Sequence, residues 1–151
     1  MPPLNPIRTR PKAELPKLSP PKYTPPVILY AENNLMLLQI VKDVLGLAGW
    51  RVEHSYDGVY TRAMLEHTGR YDLLLLNDDL HGFGGIELAR RARALPHRKE
   101  TPIIILSLAD RAEEAREAGA NEFLRKPNDL LALVETVRRL LAGSGGEQSR
   151  K

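Results

Sequence analysis

The sequence contains no cysteine, which excludes disulfide bonds, thiol catalysis and thiolate metal sites. No run of apolar residues approaches the ~20 residues that a membrane-spanning helix needs. The N-terminus also lacks the apolar segment of a secretory signal. Together these absences predict a cytoplasmic protein without membrane contact, and a chain of 151 residues is long enough for one ordinary domain.

Proline and positive charge are concentrated at the N-terminus. Residues 1–26 hold nine of the twelve prolines, and five basic residues stand there against the single acid Glu14. The rest of the chain is nearly balanced, so the formal net charge of +3 comes from this segment. Dense proline removes backbone donors and favours polyproline II, which predicts a disordered basic arm over 1–26. The arm is either a solvated leader or a docking segment. Nucleic-acid binding is less favoured, because Tyr23 is its only aromatic residue.

From residue 27 onward, short apolar runs alternate with amphipathic segments. The apolar runs predict five strands, over 27–31, 50–55, 72–77, 102–107 and 121–126. The segment after each strand carries apolar residues at helical spacing and predicts a helix. In the last of these helices, Asn128 is placed to cap the N-terminus and Gly143 to end the helix. We therefore expect one domain over 27–142 and a flexible C-terminal tail over 143–151.

Five strands that alternate with five helices predict an α/β fold. Because crossovers between parallel strands are right-handed, the helices should cover both faces of a doubly wound parallel sheet. Such a sheet opens its ligand crevice at the carboxyl ends of its strands. The candidate site therefore comprises residues 31–34, 77–79, 107–109 and 126.

At these positions the chain resembles the receiver domains of two-component response regulators, the CheY-like superfamily. ILYAENN (28–34) stands where the family has an aliphatic run that ends in two acids, and YDLLLLN (71–77) where its third strand ends in the phosphoacceptor aspartate. TPIIILS (101–107) ends in the family's Ser/Thr switch position, and EAGANEFLRKP (117–127) matches the motif of its last strand. The resemblance implies the flavodoxin-like fold, a five-stranded parallel sheet of order 2-1-3-4-5 with helices on both faces.

The resemblance also implies a role for each residue of the candidate site. Asn77 is at a degenerate phosphoacceptor position, and Glu32 and Asn33 are at the acidic-pocket positions. The remaining positions are the switch and phosphate-contact residues Ser107, Phe123 and Lys126, and Pro127, which is expected to follow a cis peptide bond.

The chain departs from the family at the residues that carry the chemistry. An amide oxygen is neutral and its lone pair is delocalised, so Asn77 cannot form a stable acyl phosphate. The family has three carboxylates at positions 32, 33 and 77, and only Glu32 remains here. Because magnesium gives up its water ligands reluctantly, we expect Mg²⁺ binding at this site to be weak or absent. Glu32 and Lys126 can then pair with each other. The sequence predicts no catalytic residue, no metal site, no cofactor and no enzymatic activity.

The leading hypothesis is a single-domain pseudo-receiver of two-component signalling that acts by protein–protein interaction without phosphorylation. Its partner would be a signalling protein, such as a histidine kinase or another regulator. The partner, or a second copy in a homodimer, would bind the face formed by the fourth helix, fifth strand and fifth helix. The candidate contacts on this face are Arg111, Glu114, Arg125, Arg138 and Arg139.

Two alternatives stay open. The first is a phosphorelay acceptor that uses Asp78 or Asp79 in place of Asn77. Side chains alternate between the two faces of a strand, so the residue after Asn77 should start from the wrong side, and a solvated turn is favoured for both acids. The second alternative is an adaptor that binds nucleic acid or an acidic partner through the basic arm.

Overall fold

The computed structural model describes residues 24–149. Most of the predicted arm over 1–26 lies outside these residues, as does the end of the predicted tail. The sheet contains five strands, β1 (Val27–Ala31), β2 (Arg51–Ser55), β3 (Leu73–Asn77), β4 (Ile103–Ser107) and β5 (Glu122–Arg125). The helices are α1 (Leu35–Leu47), α2 (Gly58–Glu66), α3 (Gly85–Ala94), α4 (Ala112–Glu117) and α5 (Leu133–Ser149), the last preceded by a 3-10 helix (Asn128–Ala132).

The predicted fold is confirmed. All four strand pairings are parallel, and the strands lie in the order β2-β1-β3-β4-β5. The two central strands, β3 and β4, are buried at every position. This agrees with their unbroken leucine and isoleucine runs, because a parallel sheet covered on both faces has no solvent side that calls for polar residues.

Alternate residues of the central strands supply two separate cores. One face of the sheet packs against α2, α3 and α4, and the other packs against α1 and α5. From β3 and β4, the first core contains Leu74, Leu76, Ile103 and Ile105. The second core contains Leu73, Leu75, Ile104 and Leu106. The two cores fix the register of the strands, because a slip of one residue would exchange the two faces.

Side-chain caps define where the first two helices begin. The Asn34 side chain accepts a hydrogen bond from the Leu37 N–H (3.1 Å), and Asp57 accepts one from the Tyr60 N–H (2.7 Å). Each cap satisfies a backbone donor that has no partner within its helix. Helix α1 is followed by Gly49 with φ +97°, a left-handed conformation that suits glycine after the end of a helix. The caps thus set the point at which the chain leaves β1 and β2.

The last helix differs from its prediction at both ends. Asn128 makes no side-chain cap and instead begins the 3-10 helix, which follows Pro127. The nearby carboxylate of Asp129 bonds to the Arg125 N–H (2.8 Å), so the turn is tied back to β5. Gly143 does not end α5, since its φ is not positive and the helix continues to Ser149. A glycine ends a helix when its backbone turns left-handed, and Gly143 stays helical.

Within residues 24–149, none of the helices is both long and apolar enough to cross a membrane.

Candidate functional site

Four of the predicted site residues lie at one edge of the sheet, where the carboxyl ends of the parallel strands meet. Glu32 directly follows β1, Asn77 ends β3, Ser107 ends β4 and Lys126 directly follows β5. Glu32, Asn77 and Ser107 are fully buried, and the Lys126 side chain is only 8% exposed. Polar groups held at this depth need partners, because an unpaired buried charge or amide is costly.

Glu32 is a buried carboxylate with four donors around it. Its Oε2 accepts hydrogen bonds from the Asn77 Nδ2 (2.9 Å) and from the Asn34 N–H (3.1 Å). Its Oε1 accepts one from the Tyr30 hydroxyl (3.3 Å) and lies 3.5 Å from the Lys126 Nζ. Both carboxylate oxygens are therefore engaged by the protein itself.

The Tyr30 hydroxyl is held in its neutral, donating form. Burial raises the pKa of Tyr30 far above its ordinary value, and the neighbouring Glu32 carboxylate raises this pKa further. A phenolate beside Glu32 would place two negative charges together in a buried site, which is unfavourable. Tyr30 therefore donates to Glu32 throughout the ordinary pH range.

Asn77 uses its whole amide within the site. The Nδ2 donates to the Glu32 carboxylate and also to the Asn33 Oδ1 (3.1 Å). The Oδ1 accepts a hydrogen bond from the Asp79 N–H (3.2 Å). A carboxylate has no hydrogen to donate, so it could not make the first two of these bonds. The amide thus links the loop after β1 to the end of β3.

Lys126 lies between two carboxylates. Its Nζ is 3.5 Å from the Glu32 Oε1 and 3.9 Å from the Asp79 Oδ2. The lysine backbone N–H donates to the Ser107 carbonyl (2.8 Å), which ties the end of β5 to that of β4. The Lys126–Pro127 peptide bond is cis. The ammonium therefore balances part of the negative charge at this edge of the sheet.

Ser107 and Phe123 lie beside this site without contacting Glu32. The Ser107 Oγ accepts a hydrogen bond from the Ala109 N–H (3.1 Å), so the hydroxyl closes a turn within its own loop. Phe123, on β5, is half-buried and packs against the core on the α2–α4 side of the sheet. Ser107 therefore belongs to the start of the loop that follows β4, whereas Phe123 lies within the sheet beside Ile105 of β4.

Comparison with known proteins agrees with this architecture. Residues 28–138 match the response regulator receiver domain family.

The chain belongs to the response regulator receiver domain family.

Among curated relatives, it is 26% identical over 122 residues to the chemotaxis protein CheY of Pseudomonas aeruginosa, covering 79% of this chain and 98% of CheY. It is 31% identical over 125 residues to the transcriptional regulatory protein TctD of Salmonella typhimurium, covering 80% of this chain and 54% of TctD. The chain thus spans the full length of CheY and about half the length of TctD.

Solved receiver-domain structures have the same fold. The chemotaxis response regulator CheY4 of Vibrio cholerae matches with a TM-score of 0.71 at 27% identity, over 78% of this chain and 99% of CheY4. The receiver domain of sensor histidine kinase PA1611 from Pseudomonas aeruginosa PAO1 matches with a TM-score of 0.70 at 27% identity, over 79% of this chain and 99% of that domain. The latter structure has a magnesium ion coordinated in its active-site cleft.

The two acids that follow Asn77 in this receiver domain point in different directions. The Asp78 side chain is 5% exposed and lies over α3, where its Oδ1 accepts a hydrogen bond from the Ile86 N–H (3.1 Å). Its Oδ2 pairs with Arg111. The expected solvated turn is therefore wrong for Asp78, because a helix N–H and a guanidinium satisfy its carboxylate in a buried position.

The Asp79 side chain lies at the pocket that contains Glu32, Asn77 and Lys126. Its Oδ2 accepts a hydrogen bond from the Leu108 N–H (3.2 Å) and faces Lys126, and its side chain is 41% exposed. The sequence contained a signal for this contact, since residues two apart on a strand share a face and Asp79 lies two residues after Asn77. The solvated turn expected for Asp79 does not include this contact, although the side chain is partly exposed.

Arg111 joins the loop after β4 to two acids. Its guanidinium contacts the carboxylates of Asp78 and Glu114. The hydrogen bond to Glu114, together with the charge of Asp78, raises the pKa of Arg111 above its ordinary value. The same hydrogen bond lowers the pKa of Glu114. Arg111 and Glu114, both predicted as partner contacts, are therefore already paired with each other.

Gly82, five residues after Asn77, lies in the turn between β3 and α3 and has a backbone conformation that favours glycine. Its φ is +84°, a left-handed conformation that other residues rarely adopt. A Cβ at Gly82 would also lie 2.8 Å from the Val59 side chain. Both the left-handed backbone and the close approach of Val59 therefore call for glycine at this position.

Proposed function

We propose that this chain is a pseudo-receiver, a receiver domain of two-component signalling that acts by protein–protein interaction without accepting a phosphoryl group. One observation carries the proposal. At the place where the family has its phosphoacceptor aspartate, Asn77 donates both amide hydrogen bonds to side chains of the pocket, Glu32 and Asn33. An acceptor carboxylate would have to be an anionic nucleophile, and this group is a neutral donor.

The donor set also fits magnesium poorly. Mg²⁺ is held by anionic oxygens in a near-octahedral arrangement and keeps its water tightly. Here both Glu32 oxygens are occupied by four donors, the Asn77 amide turns its nitrogen toward the pocket, and the Lys126 ammonium lies 3.5 Å from Glu32. The PA1611 receiver domain holds magnesium in its cleft, whereas an ion in this pocket would have to displace a lysine. We propose that the pocket works without a metal.

The surface through which such a domain acts is the α4–β5–α5 face. One basic group of this face is held in an ion pair across it, since Arg139 on α5 contacts Glu122 on β5 at 2.7 Å. Arg138, predicted as a contact on the same face, instead pairs with Glu135 of its own helix and lies over the ring of Trp50, between α1 and β2. Mixed charges of this kind are typical of the polar rim of a non-obligate interface. The partner we propose is a signalling protein, either a histidine kinase or another regulator, and a homodimer through the same face is the alternative.

The experiment is capture of partners from the native cell on the tagged full chain, with and without acetyl phosphate. We expect the same partner in both samples, and we expect its loss when the face carries Arg139→Glu. Arg62→Glu on α2 is the matched control, because Arg62 also forms an exposed ion pair, with Glu66, on the opposite side of the sheet. Capture that requires acetyl phosphate would contradict the proposal.

A phosphorelay acceptor that uses Asp78 or Asp79 is the second candidate, and the exposure of the two side chains favours Asp79. Asp78 is buried and engaged with Ile86 and Arg111, whereas Asp79 is partly exposed and faces Lys126. If the wild-type chain takes up a phosphoryl group, Asp79→Asn should abolish the uptake and Asp78→Asn should not. The reverse pattern would place the reaction at Asp78.

A further inference from the structure

The Asp79 carboxylate lies where two donors of the pocket converge. The Leu108 N–H donates to its Oδ2 at 3.2 Å, and the Lys126 Nζ lies 3.9 Å from the same oxygen. An ammonium and a backbone N–H that point at one place form an anion-binding arrangement. In this chain the anion is supplied by the protein itself, two residues after Asn77.

The same contact holds the loop between β4 and α4. The peptide units before and after the Leu108 Cα are both held, because the Leu108 N–H donates to Asp79 and the Leu108 carbonyl accepts a hydrogen bond from the Arg125 Nε (3.3 Å). Three residues further on, Arg111 pairs with Asp78. The two consecutive acids after β3 therefore hold the two ends of one loop.

These contacts depend on the negative charge of Asp79. Without its carboxylate, Lys126 would face Glu32 alone, and the Leu108 N–H would lose the acceptor that the structure gives it. Since residue Leu108 is 60% exposed, packing of its side chain contributes little to holding the loop. The tether is therefore electrostatic and lies at the edge of the face through which we propose that the domain acts.

We propose that Asp79 is the resident anion of this pocket: its carboxylate occupies the position that an external oxyanion would need between Lys126 and Leu108, and it holds the β4–α4 loop in one conformation. The inference rests on the proposed function, since a pocket without phosphoryl chemistry needs another anion to engage these donors. It goes further by assigning that role to one side chain. The Asp79 carboxylate would then keep the β4–α4 loop in one conformation without any bound ligand.

The test uses NMR to measure hydrogen exchange of individual backbone amides in the full chain, without any phosphodonor. In Asp79→Ala we expect exchange of the Leu108 amide to rise about tenfold or more, which corresponds to the loss of a hydrogen bond to a charged group. The matched control is Asp110→Ala. Asp110 is an exposed acid of the same loop and has no hydrogen bond or ion pair to the residues that the structure describes. In this control the Leu108 amide should exchange at the wild-type rate.

Inorganic phosphate provides a second measurement. We expect phosphate to shift the Leu108 amide and Lys126 Nζ signals in Asp79→Ala and to leave both unchanged in the wild type. If Asp79→Ala does not fold, Asp79→Asn keeps the size of the side chain without its charge, and the same phosphate-dependent shifts are expected there.

Two results would overturn the inference: equal exchange at Leu108 in the wild type and Asp79→Ala, or equal response of the two proteins to phosphate. Because no phosphodonor is present, such a failure leaves the proposed function standing. Conversely, phosphorylation of the wild-type chain would refute the proposed function whatever the exchange at Leu108 shows.

Discussion

At position 77, an amide and a carboxylate have different effects on the buried negative charge of Glu32. The Asn77 amide brings two hydrogens to Glu32 and Asn33 and adds no charge. A carboxylate there would bring a second negative charge beside a buried one and would leave the Asn33 oxygen without its donor. Lys126 is the only cation that contacts Glu32 among the described residues, and it already faces Asp79 as well.

We therefore expect Asn77→Asp to lower the free energy of unfolding by about 1–3 kcal/mol at pH 7, the usual cost of an unsatisfied buried group. The fold should survive, because a domain typically has ~5–15 kcal/mol of stability. Burial and the charge of Glu32 should raise the pKa of the introduced carboxyl. The penalty should thus be present above that raised pKa and disappear as the pH falls through it.

Urea unfolding at pH 7 and at pH 5 measures this prediction. Asn33→Asp is the matched control, since Asn33 is exposed and its oxygen acts as an acceptor, a role that a carboxylate keeps. A variant with Asp at position 77 that is as stable as the wild type at both pH values would show that the Asn77 hydrogen bonds contribute nothing.

Restoring the missing acids should restore the chemistry in steps. We expect Asn77→Asp to be phosphorylated slowly by acetyl phosphate, because it regains a nucleophile but leaves a neutral Asn33 beside Glu32. Adding Asn33→Asp completes three carboxylates, so both magnesium affinity and the rate of phosphorylation should rise well above those of the single variant. Intact mass against time, at several magnesium concentrations, measures both. Equal rates for the single and double variants would contradict this account of the pocket.

Most of the pocket could be predicted at the residue scale, because strand ends in a parallel sheet determine which residues meet. Glu32, Asn77, Ser107 and Lys126 each end or follow a strand, and the structure brings them to one edge. The role of Asp78 could not be predicted, because its partner Arg111 lies 33 residues away on another loop. Contacts between loops depend on turn geometry, which the hydrophobic pattern does not specify.

At the scale of elements, α4 is the least anchored of the helices. It has only six residues, and Ala115 is its one fully buried side chain. Alanine buries much less apolar surface than the leucine and valine side chains of α5, where Leu133 and Val137 enter the core. The sequence pattern predicted a helix there, and the helix ends where Gly119 adopts a left-handed conformation with φ +98°.

We therefore expect the amides of 110–119 to exchange with solvent faster than those of 133–141. Hydrogen exchange followed by mass spectrometry on the full chain compares the two segments directly, and α3 serves as an internal reference on the same face of the sheet. Protection of 110–119 equal to that of 133–141 would contradict this prediction.

The boundaries of the last helix illustrate what local sequence signals leave undecided. Asn128 and Asp129 are both good capping residues, and both stand just before an apolar run. The structure uses neither as a cap, because Asn128 is already the first residue of the 3-10 helix and the Asp129 carboxylate accepts a hydrogen bond from the Arg125 N–H at the end of β5. Whether a capping residue is used thus depends on the position of the preceding strand, which the sequence pattern does not supply.

At the scale of the whole molecule, the fold was predictable because its central strands are unambiguous. Runs of four leucines and of three isoleucines and a leucine, separated by helical patterns, favour strands that are buried on both faces of a parallel sheet. Function is less directly encoded, since the receiver fold is shared with relatives as different as CheY and TctD. In this chain the distinguishing information is in single residues, above all in Asn77.

The most direct test of the central claim is the intact mass of the wild-type chain after incubation with acetyl phosphate and magnesium. We predict no change in mass, with Asn33→Asp plus Asn77→Asp as the positive control under the same conditions. A gain of one phosphoryl group by the wild type, mapped to Asp78 or Asp79, would contradict the pseudo-receiver account and replace it with that of a phosphorelay acceptor.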